Sequence, residues 1–188
     1  MSKDGIVSFE SEELILVDSG DNEVGYLSKD KCHDGDGVLH RAFSLFVFNT
    51  DGELLLQQRS AGKRLWPLFW SNSVCSHPRK GETMEVATRR RLHEELDIEA
   101  ELEFVYKFPY QAQFGEHGSE NELCSVYLGE TGQSFSANTN EIAAARYISR
   151  EALENEVMTK PGQFTPWFRM EWERLCEEFA GKLAEYAK

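Results

Sequence analysis

Three histidines and two glutamates stand far apart in the sequence, yet their types and spacing suit a metal site. His33 and His40 lie on either side of the polar turn DGDGV, and His77 lies in the segment WSNSVCSHPRKGE. Glu120 and Glu122 are two residues apart in SENEL, so both carboxylates would leave the same face of an extended strand. If all five side chains converge, they would suit a divalent transition metal with nitrogen and oxygen ligands in a roughly octahedral arrangement.

Cys75 lies beside this set, and its residue type leaves several roles open. These roles are a metal ligand together with His77, one half of a disulfide, a residue that fills space in the core, and a reactive thiol. A soft thiolate fits an oxygen-rich ligand set poorly, but a structural zinc site with Cys32, His33 and His77 is a separate alternative. Because no C-x-x-C pair occurs, we expect free thiols at Cys32, Cys75, Cys124 and Cys176.

Basic residues cluster near Cys75 in a chain that is otherwise acidic. Lys and Arg number 20 against 33 Asp and Glu, and the net charge of -13 disfavours a general binder of nucleic-acid backbones. The cluster is either a solvated face with ion pairs such as Arg90 with Glu94, or a local site where Arg and Lys hold a phosphate group. The cations concerned are Lys29, Arg59, Lys63, Arg64, Arg79, Lys80, Arg89, Arg90 and Arg91.

Most of the elements that must position these residues are predicted to be strands. EELILVD and EVGYLS flank the turn SGDN and predict an N-terminal hairpin, and HRAFSLFVFN and ELLLQQR flank TDG and predict a second one. Three further strands are predicted at ELEFVYKFPYQAQF, NELCSVYLGE and AAARYIS. The polar segments EHGSENE and TGQSFSANTNE are expected to be mobile loops.

Two helices are predicted to pack outside the sheet, which gives a mixed α/β fold. The first begins after the N-cap Thr83 and places Arg91 and Glu95 together, beside a row that faces the sheet and consists of Met84, Thr88, Leu92 and Leu96. The second begins at FTPWF, with Thr165 as N-cap and Pro166 in its first turn. Its apolar stripe runs through Phe168, Trp172, Leu175, Phe179, Leu183 and Tyr186.

Length and hydropathy predict one compact domain spanning residues 1–188, long enough to bury a sizeable core. No apolar run approaches the roughly 20 residues that cross a bilayer, and the first residues lack the apolar block of a signal peptide. We therefore expect a cytoplasmic protein that binds neither membranes nor nucleic acid. Nothing in the sequence requires a dimer, so a monomer is expected.

The segment SHPRKGETMEVATRRRLHEELDI resembles a degenerate Nudix box, G-x5-E-x7-R-E-U-x-E-E-x-G-U, where U is aliphatic. The matching residues are Glu82, Arg90, Leu92, Glu94, Glu95 and Ile98. Ser76 and Asp97 replace the two glycines, and Arg91 stands where Nudix hydrolases carry a metal-binding Glu. Since that change removes a carboxylate and adds a cation beside the metal, it disfavours ordinary Nudix hydrolysis.

The whole chain resembles one branch of this superfamily, the type I isopentenyl diphosphate isomerases. WPLFWSNSVCSHP is similar to their cysteine motif, SENELC to their acidic motif and FTPWF to their late tryptophan motif. The resemblance implies a Nudix-type mixed β-sheet sandwiched by helices, with an N-terminal hairpin and a C-terminal amphipathic helix. It also implies an isomerase of isoprenoid biosynthesis that interconverts isopentenyl and dimethylallyl diphosphate through a tertiary carbocation.

The same resemblance implies roles for individual residues. A divalent Mn, Mg or Zn ion would be bound by His33, His40, His77, Glu120 and Glu122. The two catalytic groups would be Cys75 and Glu122, with Tyr110 beside them; a nearby cation such as Arg91 or the substrate's magnesium ion would favour the Cys75 thiolate. Trp167 would cover the substrate carbon skeleton, although without the resemblance it is simply a core residue at the start of a helix. Glu95 would help to hold a magnesium ion that arrives with the substrate, whose diphosphate would contact Lys29, Arg59, Lys63 and Arg91. His93 and His117 receive no role.

Overall fold

The computed structural model describes residues 5–188, which form one mixed sheet with helices on both of its faces. Its strands are β1 (Glu13–Val17), β2 (Glu23–Ser28), β3 (His40–Phe48), β4 (Leu54–Arg59), β5 (Trp70–Ser71), β6 (Val74–Ser76), β7 (Glu101–Gln113), β8 (Ser119–Glu130) and β9 (Ile142–Ile148). Its helices are α1 (Lys29–Cys32), α2 (Met84–Leu96), α3 (Arg150–Thr159), α4 (Pro166–Glu177) and α5 (Ala180–Leu183), with a 3₁₀ turn at Pro161–Gln163. None of the helices in this described part is long and apolar enough to span a bilayer.

Strand β3 lies at the centre of the sheet, as its nearly continuous apolar sequence predicts. It pairs antiparallel with β1, β4 and β6 and parallel with β8. The register sets His40 beside Glu122, and β7 sets Tyr110 on the other side of Glu122. On the opposite side of β3, Ser44 lies beside Cys75 of β6. Pairing alone therefore brings four distant parts of the sequence to one end of the sheet.

The two faces of β3 belong to two separate cores. Phe46 and Phe48 pack with residues of α4, such as Phe168, whereas Leu45 and Val47 pack with residues of α2. Burying each such side chain contributes on the order of 1.5 to 3 kcal/mol, so both helices are held mainly by the sheet. The prediction of a mixed sheet with helices outside it is confirmed.

Helix α2 has the ends that its sequence predicts. Thr83 precedes it, and the Thr83 side chain accepts a hydrogen bond from the backbone N–H of Val86 at 3.3 Å. Asp97 ends the helix in the left-handed conformation, with a φ of 55°. Because glycine adopts that conformation without a steric cost, the glycine of the Nudix box suits this position, and Asp is among the residues that tolerate it.

The prediction of one long final helix is wrong in its second half. Phe179 has a non-helical backbone and separates α4 from the short α5, while its ring stacks on Tyr106 with the centroids 4.8 Å apart. Stacking on the sheet thus interrupts the helix although the apolar stripe continues to Leu183, which is fully buried. Thr165 occupies the N-cap position of α4, but its hydroxyl contacts Ser71 Oγ at 3.0 Å instead of capping the helix.

Two further predictions about local structure need correction. The segment EHGSENE is not a loop throughout, because β8 already begins at Ser119 and pairs with β7 from that residue onward. Helix α3 was not predicted, although Ser149 is a helix N-cap whose Oγ accepts a hydrogen bond from the backbone N–H of Ala152 at 3.4 Å. Its exposed and strongly polar sequence has little apolar periodicity, with Leu153 its buried residue.

Candidate active site

The five side chains singled out as metal ligands converge at the end of the sheet. His33 follows α1, His40 begins β3, His77 follows β6, and Glu120 and Glu122 project from the same face of β8. One ligand atom of each residue lies within 4.8 Å of the others, and neither Cys75 nor Cys32 belongs to this group. The arrangement therefore speaks against the alternative of a zinc site with sulfur ligands.

The hydrogen bonds of the group leave several of its ligand atoms unpaired. His40 Nδ1 lies 2.7 Å from the carbonyl oxygen of Val38, which can only accept, so Nδ1 carries the proton and Nε2 presents its lone pair. Although His33 Nε2 and Glu120 Oε2 are 3.0 Å apart, neither atom makes a hydrogen bond of acceptable geometry, and His40 Nε2 has no partner either. Three buried and unsatisfied ligand atoms fit a divalent cation bound among them.

The electrostatics of the group also favour a bound cation. Burial, with repulsion from His33, lowers the pKa of His40 to about 4, and burial lowers the pKa of His77 well below its usual range. Both imidazoles are thus neutral near pH 7, as metal ligands must be. Burial, together with the neighbouring Glu120 carboxylate, raises the pKa of Glu122 well above its usual range. A divalent ion would relieve this repulsion between two carboxylates.

Glu122 joins the metal-ligand group to a phenol. Its Oε1 lies 2.8 Å from His77 Nε2, and its Oε2 accepts a hydrogen bond from the Tyr110 hydroxyl at 2.5 Å. Burial, with the nearby Glu122 charge, raises the pKa of Tyr110 well above its usual range, so the phenol stays protonated. One carboxylate therefore contacts both the group that could hold a metal ion and a phenol that donates a hydrogen bond.

A cavity of about 260 Å³ lies beside this carboxylate and is lined by Cys75, Tyr110, Glu122 and Trp167. Burial raises the pKa of Cys75 to about 11, and Arg59 opposes this rise. The nearer guanidinium nitrogen of Arg59, Nη1, is 3.7 Å from Cys75 Sγ. Arg91, which was expected to favour the thiolate, is instead held in ion pairs with carboxylates. Arg59 is thus the cation beside the thiol.

Trp167 lines the cavity and is held by several side-chain contacts. Its Nε1 donates a hydrogen bond to Ser71 Oγ at 3.0 Å, and the edge of Trp66 packs against its ring with centroids 5.2 Å apart. The Arg59 guanidinium lies 5.2 Å from the centroid of the Trp167 ring. The backbones of Trp66 and Leu68 are left-handed, with φ of 46° and 63°. In this strained loop the Leu65 and Trp66 carbonyls accept hydrogen bonds from Arg59.

The four cations expected to contact a diphosphate all line the cavity. Lys29 donates a hydrogen bond to Ser8 Oγ at 2.7 Å and lies 3.5 Å from Glu10. Lys63 and Arg91 both pair with Glu141. All four cations therefore face the cavity, and three of them carry carboxylate partners.

Glu95 and Glu141 occupy places that the sequence did not reveal. Glu95 is buried behind the cavity wall, where it pairs with Arg91 and accepts from Gln57 Nε2 at 3.3 Å, and it is not part of the lining. Glu141 lines the cavity instead, directly before β9. A lone carboxylate at the end of a polar segment is common on protein surfaces, so no sequence pattern distinguished it.

Comparisons with known proteins identify the family of this chain. The NUDIX domain family matches residues 38–168 of the chain. Isopentenyl-diphosphate Delta-isomerase 1 of Photorhabdus laumondii is 39% identical over 174 residues, which cover 92% of this chain and 99% of that protein. The chain belongs to the isopentenyl-diphosphate Delta-isomerases.

Other members of the isopentenyl-diphosphate Delta-isomerases match over similar lengths. The protein of Serratia proteamaculans is 41% identical, over 84% of this chain and 87% of its own length. Among solved structures, DR0079 of Deinococcus radiodurans superposes with a TM-score of 0.65 at 25% identity, over 79% of this chain and 90% of that one. The MutT protein of Methanosarcina mazei, at 18% identity, gives a TM-score of 0.61 over 74% and 94% of the two chains. This chain thus shares its fold with both of these proteins.

Proposed function

We propose that this chain interconverts isopentenyl diphosphate and dimethylallyl diphosphate. The observation that carries the proposal is that Cys75 and the Glu122–Tyr110 pair line one cavity whose wall also holds Lys29 and Arg59. A double-bond shift needs one group to protonate the terminal alkene carbon and another to remove a proton from the adjacent methylene. The cavity contains one group for each task, together with cations for the diphosphate.

Glu122 is the group that gives the proton in the forward direction. Burial favours its protonated form, and the hydrogen bond from the Tyr110 hydroxyl to Oε2 orients the carboxyl. Protonation of the terminal carbon leaves a tertiary carbocation in the substrate. The roles of donor and acceptor reverse when the reaction runs backward.

Cys75 is the group that takes the proton from the methylene. Because burial favours the thiol, the thiolate needs the nearby positive charge of Arg59. Loss of this proton to sulfur completes the new double bond and neutralises the carbocation. The thiol that results is the form that the buried surroundings favour, so the transfer is not opposed by the site.

Trp167 stabilises the carbocation and helps to exclude water. An indole face stabilises a desolvated cation by roughly 1 to 2 kcal/mol or more, and Trp167 is only 2% exposed. Trp66 packs against the Trp167 ring in a T-shaped contact and supports it. Exclusion of solvent matters because water would capture a carbocation as an alcohol.

We further propose that a divalent ion, Mn, Mg or Zn, is held by the group His33, His40, His77, Glu120 and Glu122. When bound, it would neutralise the carboxylates of Glu120 and Glu122 and supply Lewis acidity at Glu122. Lys29, Arg59, Lys63 and Arg91 would contact the diphosphate. The role inferred for Glu95, holding the substrate's magnesium ion, requires its carboxylate to leave Arg91 and Gln57 first.

Hydrolysis of a diphosphate is a weaker interpretation of the same fold. At the position where hydrolases carry a metal-binding Glu, Arg91 is buried among the carboxylates of Glu94, Glu95 and Glu141. A guanidinium at this point competes with magnesium for these carboxylates. The ligand set that activates water in Nudix hydrolases is therefore not available.

The test is incubation of the metal-loaded protein with isopentenyl diphosphate in deuterated water, followed by NMR of the product. We expect dimethylallyl diphosphate that carries deuterium, with no release of phosphate. The Cys75→Ala variant should lose this activity, whereas Cys176→Ala, which changes a thiol far from the cavity lining, should keep it. Phosphate release without an allylic product, or full activity of Cys75→Ala, would refute the proposal.

A further inference from the structure

Glu141 occupies the place between two cations where a bound anion would be expected. Its Oε2 pairs with Lys63 Nζ, and the same atom lies 3.1 Å from Arg91 Nη2. Glu141 lines the cavity with both of these residues, and its side chain is only 5% exposed. A single carboxylate oxygen thus holds two of the four cations on the wall.

This carboxylate is needed as long as the cavity contains no other anion. Among the described ion pairs Lys63 pairs with Glu141 alone and would lose its partner without it, whereas Arg91 also pairs with Glu94 and Glu95. Burial alone would raise the pKa of Glu141, but the charges of Lys63 and Arg91 hold it at about 2. Glu141 is therefore ionised throughout the physiological range and keeps both cations in position.

We propose that Glu141 is a displaceable internal anion, which the diphosphate of the substrate replaces on Lys63 and Arg91. This inference rests on the proposed function, because it takes the diphosphate as the ligand of these cations. A diphosphate carries more charge and more acceptor oxygens than one carboxylate, so Lys63 and Arg91 bind it more strongly than they bind Glu141. Because Glu141 competes with the diphosphate for Lys63 and Arg91, it weakens binding of the substrate in its ground state and speeds release of the product.

Glu94 provides a matched control for this role. It also pairs with Arg91, at 3.2 Å, and its removal changes the net charge by the same amount. Unlike Glu141, it does not pair with Lys63 in the described ion pairs and does not line the cavity. A difference between Glu141→Gln and Glu94→Gln therefore reports on competition inside the cavity rather than on net charge.

The experiment is calorimetric titration of the full-length, metal-loaded protein with inorganic pyrophosphate, without added magnesium. We expect Glu141→Gln to bind at least about tenfold more tightly than wild type, and Glu94→Gln to stay within about threefold. In turnover with the isoprenyl substrate, Glu141→Gln should lower both KM and kcat, because substrate binds more tightly and product leaves more slowly.

The proposal would be overturned if Glu141→Gln bound pyrophosphate no more tightly than Glu94→Gln does. A raised KM of Glu141→Gln would also overturn it, because that is the result expected of a purely structural role. If Glu141→Gln does not fold, Glu141→Asp decides, since it keeps the charge but withdraws the carboxylate from both cations. Its affinity should rise severalfold, and an unchanged affinity would overturn the proposal. Failure of the isomerisation assay in wild type would instead refute the proposed function, because the binding comparison needs no turnover.

Discussion

Glu171 offers a quantitative test of the electrostatics below the cavity. This residue of α4 is completely buried, and burial raises the pKa of its carboxyl to about 8. Cys124 Sγ of β8 lies 3.4 Å from Glu171 Oε1, Ser44 of β3 contacts the carboxyl, and Tyr106 of β7 donates to the Glu171 backbone carbonyl. Neither Lys nor Arg is among the groups that shift its pKa.

The sign of the effect follows from proton binding in the two states. An unfolded Glu releases its proton near pH 4.5, whereas folded Glu171 keeps it until about pH 8. Between these values the folded state binds more protons, so this residue's contribution to stability is complete below about pH 4.5 and is lost as pH rises through about 8. The loss is about 1.4 kcal/mol per pH unit, or on the order of 4 kcal/mol between about pH 5 and about pH 8.

The Glu171→Gln variant removes this titration while keeping nearly the same shape. The free energy of unfolding, measured with urea across that pH range on metal-loaded protein, should therefore rise relative to wild type as pH increases. Glu173→Gln, an exposed neighbour on the same helix, should run parallel to wild type. Parallel curves for Glu171→Gln and wild type would show that the Glu171 carboxyl is ionised at neutral pH and would refute the reasoning.

Three further predictions concern the site. Cys75→Ala should abolish isomerisation but retain bound metal, measured by elemental analysis, and a loss of metal would mean that Cys75 is a ligand. His40→Ala, at a position with no exposure, should lose the metal and roughly 2 to 4 kcal/mol of stability, measured by calorimetry. The exposed His93→Ala is its control, and unchanged metal content in His40→Ala would contradict the ligand assignment. Trp167→Phe should lower kcat about tenfold, because the cation–π interaction weakens; a change in KM alone would contradict this role.

The sequence was sufficient to predict the elements with strong patterns and the residue types of the site. Glu120 and Glu122 share a face because strand geometry requires it, and β8 is extended through both of them. That His40 lies beside Glu122 was not predictable from spacing, because the pairing of β3 with β8 depends on the packing of the whole sheet. Only the resemblance to the isopentenyl diphosphate isomerases implied that these residues belong to one site.

Other features depend on tertiary contacts that leave no trace in a short segment. Arg59 faces Cys75 because the strained loop after β4 curls around its guanidinium, whereas Arg91 lines the same cavity but is held in ion pairs with carboxylates. The end of helix α4 likewise depends on the stacking of the Phe179 ring on the Tyr106 ring. These side-chain positions are decided by partners that are distant in the sequence.

The pairing of β3 with β8 has a kinetic consequence. Parallel strands so distant in sequence must pay a large loop-closure entropy before they pair, so this contact is expected to form late in folding. His40 and Glu122 become neighbours only through that contact, so a divalent ion held by their group would stabilise the native state more than the transition state. Excess metal should then slow unfolding while leaving the folding rate nearly unchanged. The ligand group would therefore slow the separation of β3 from β8 without speeding their pairing.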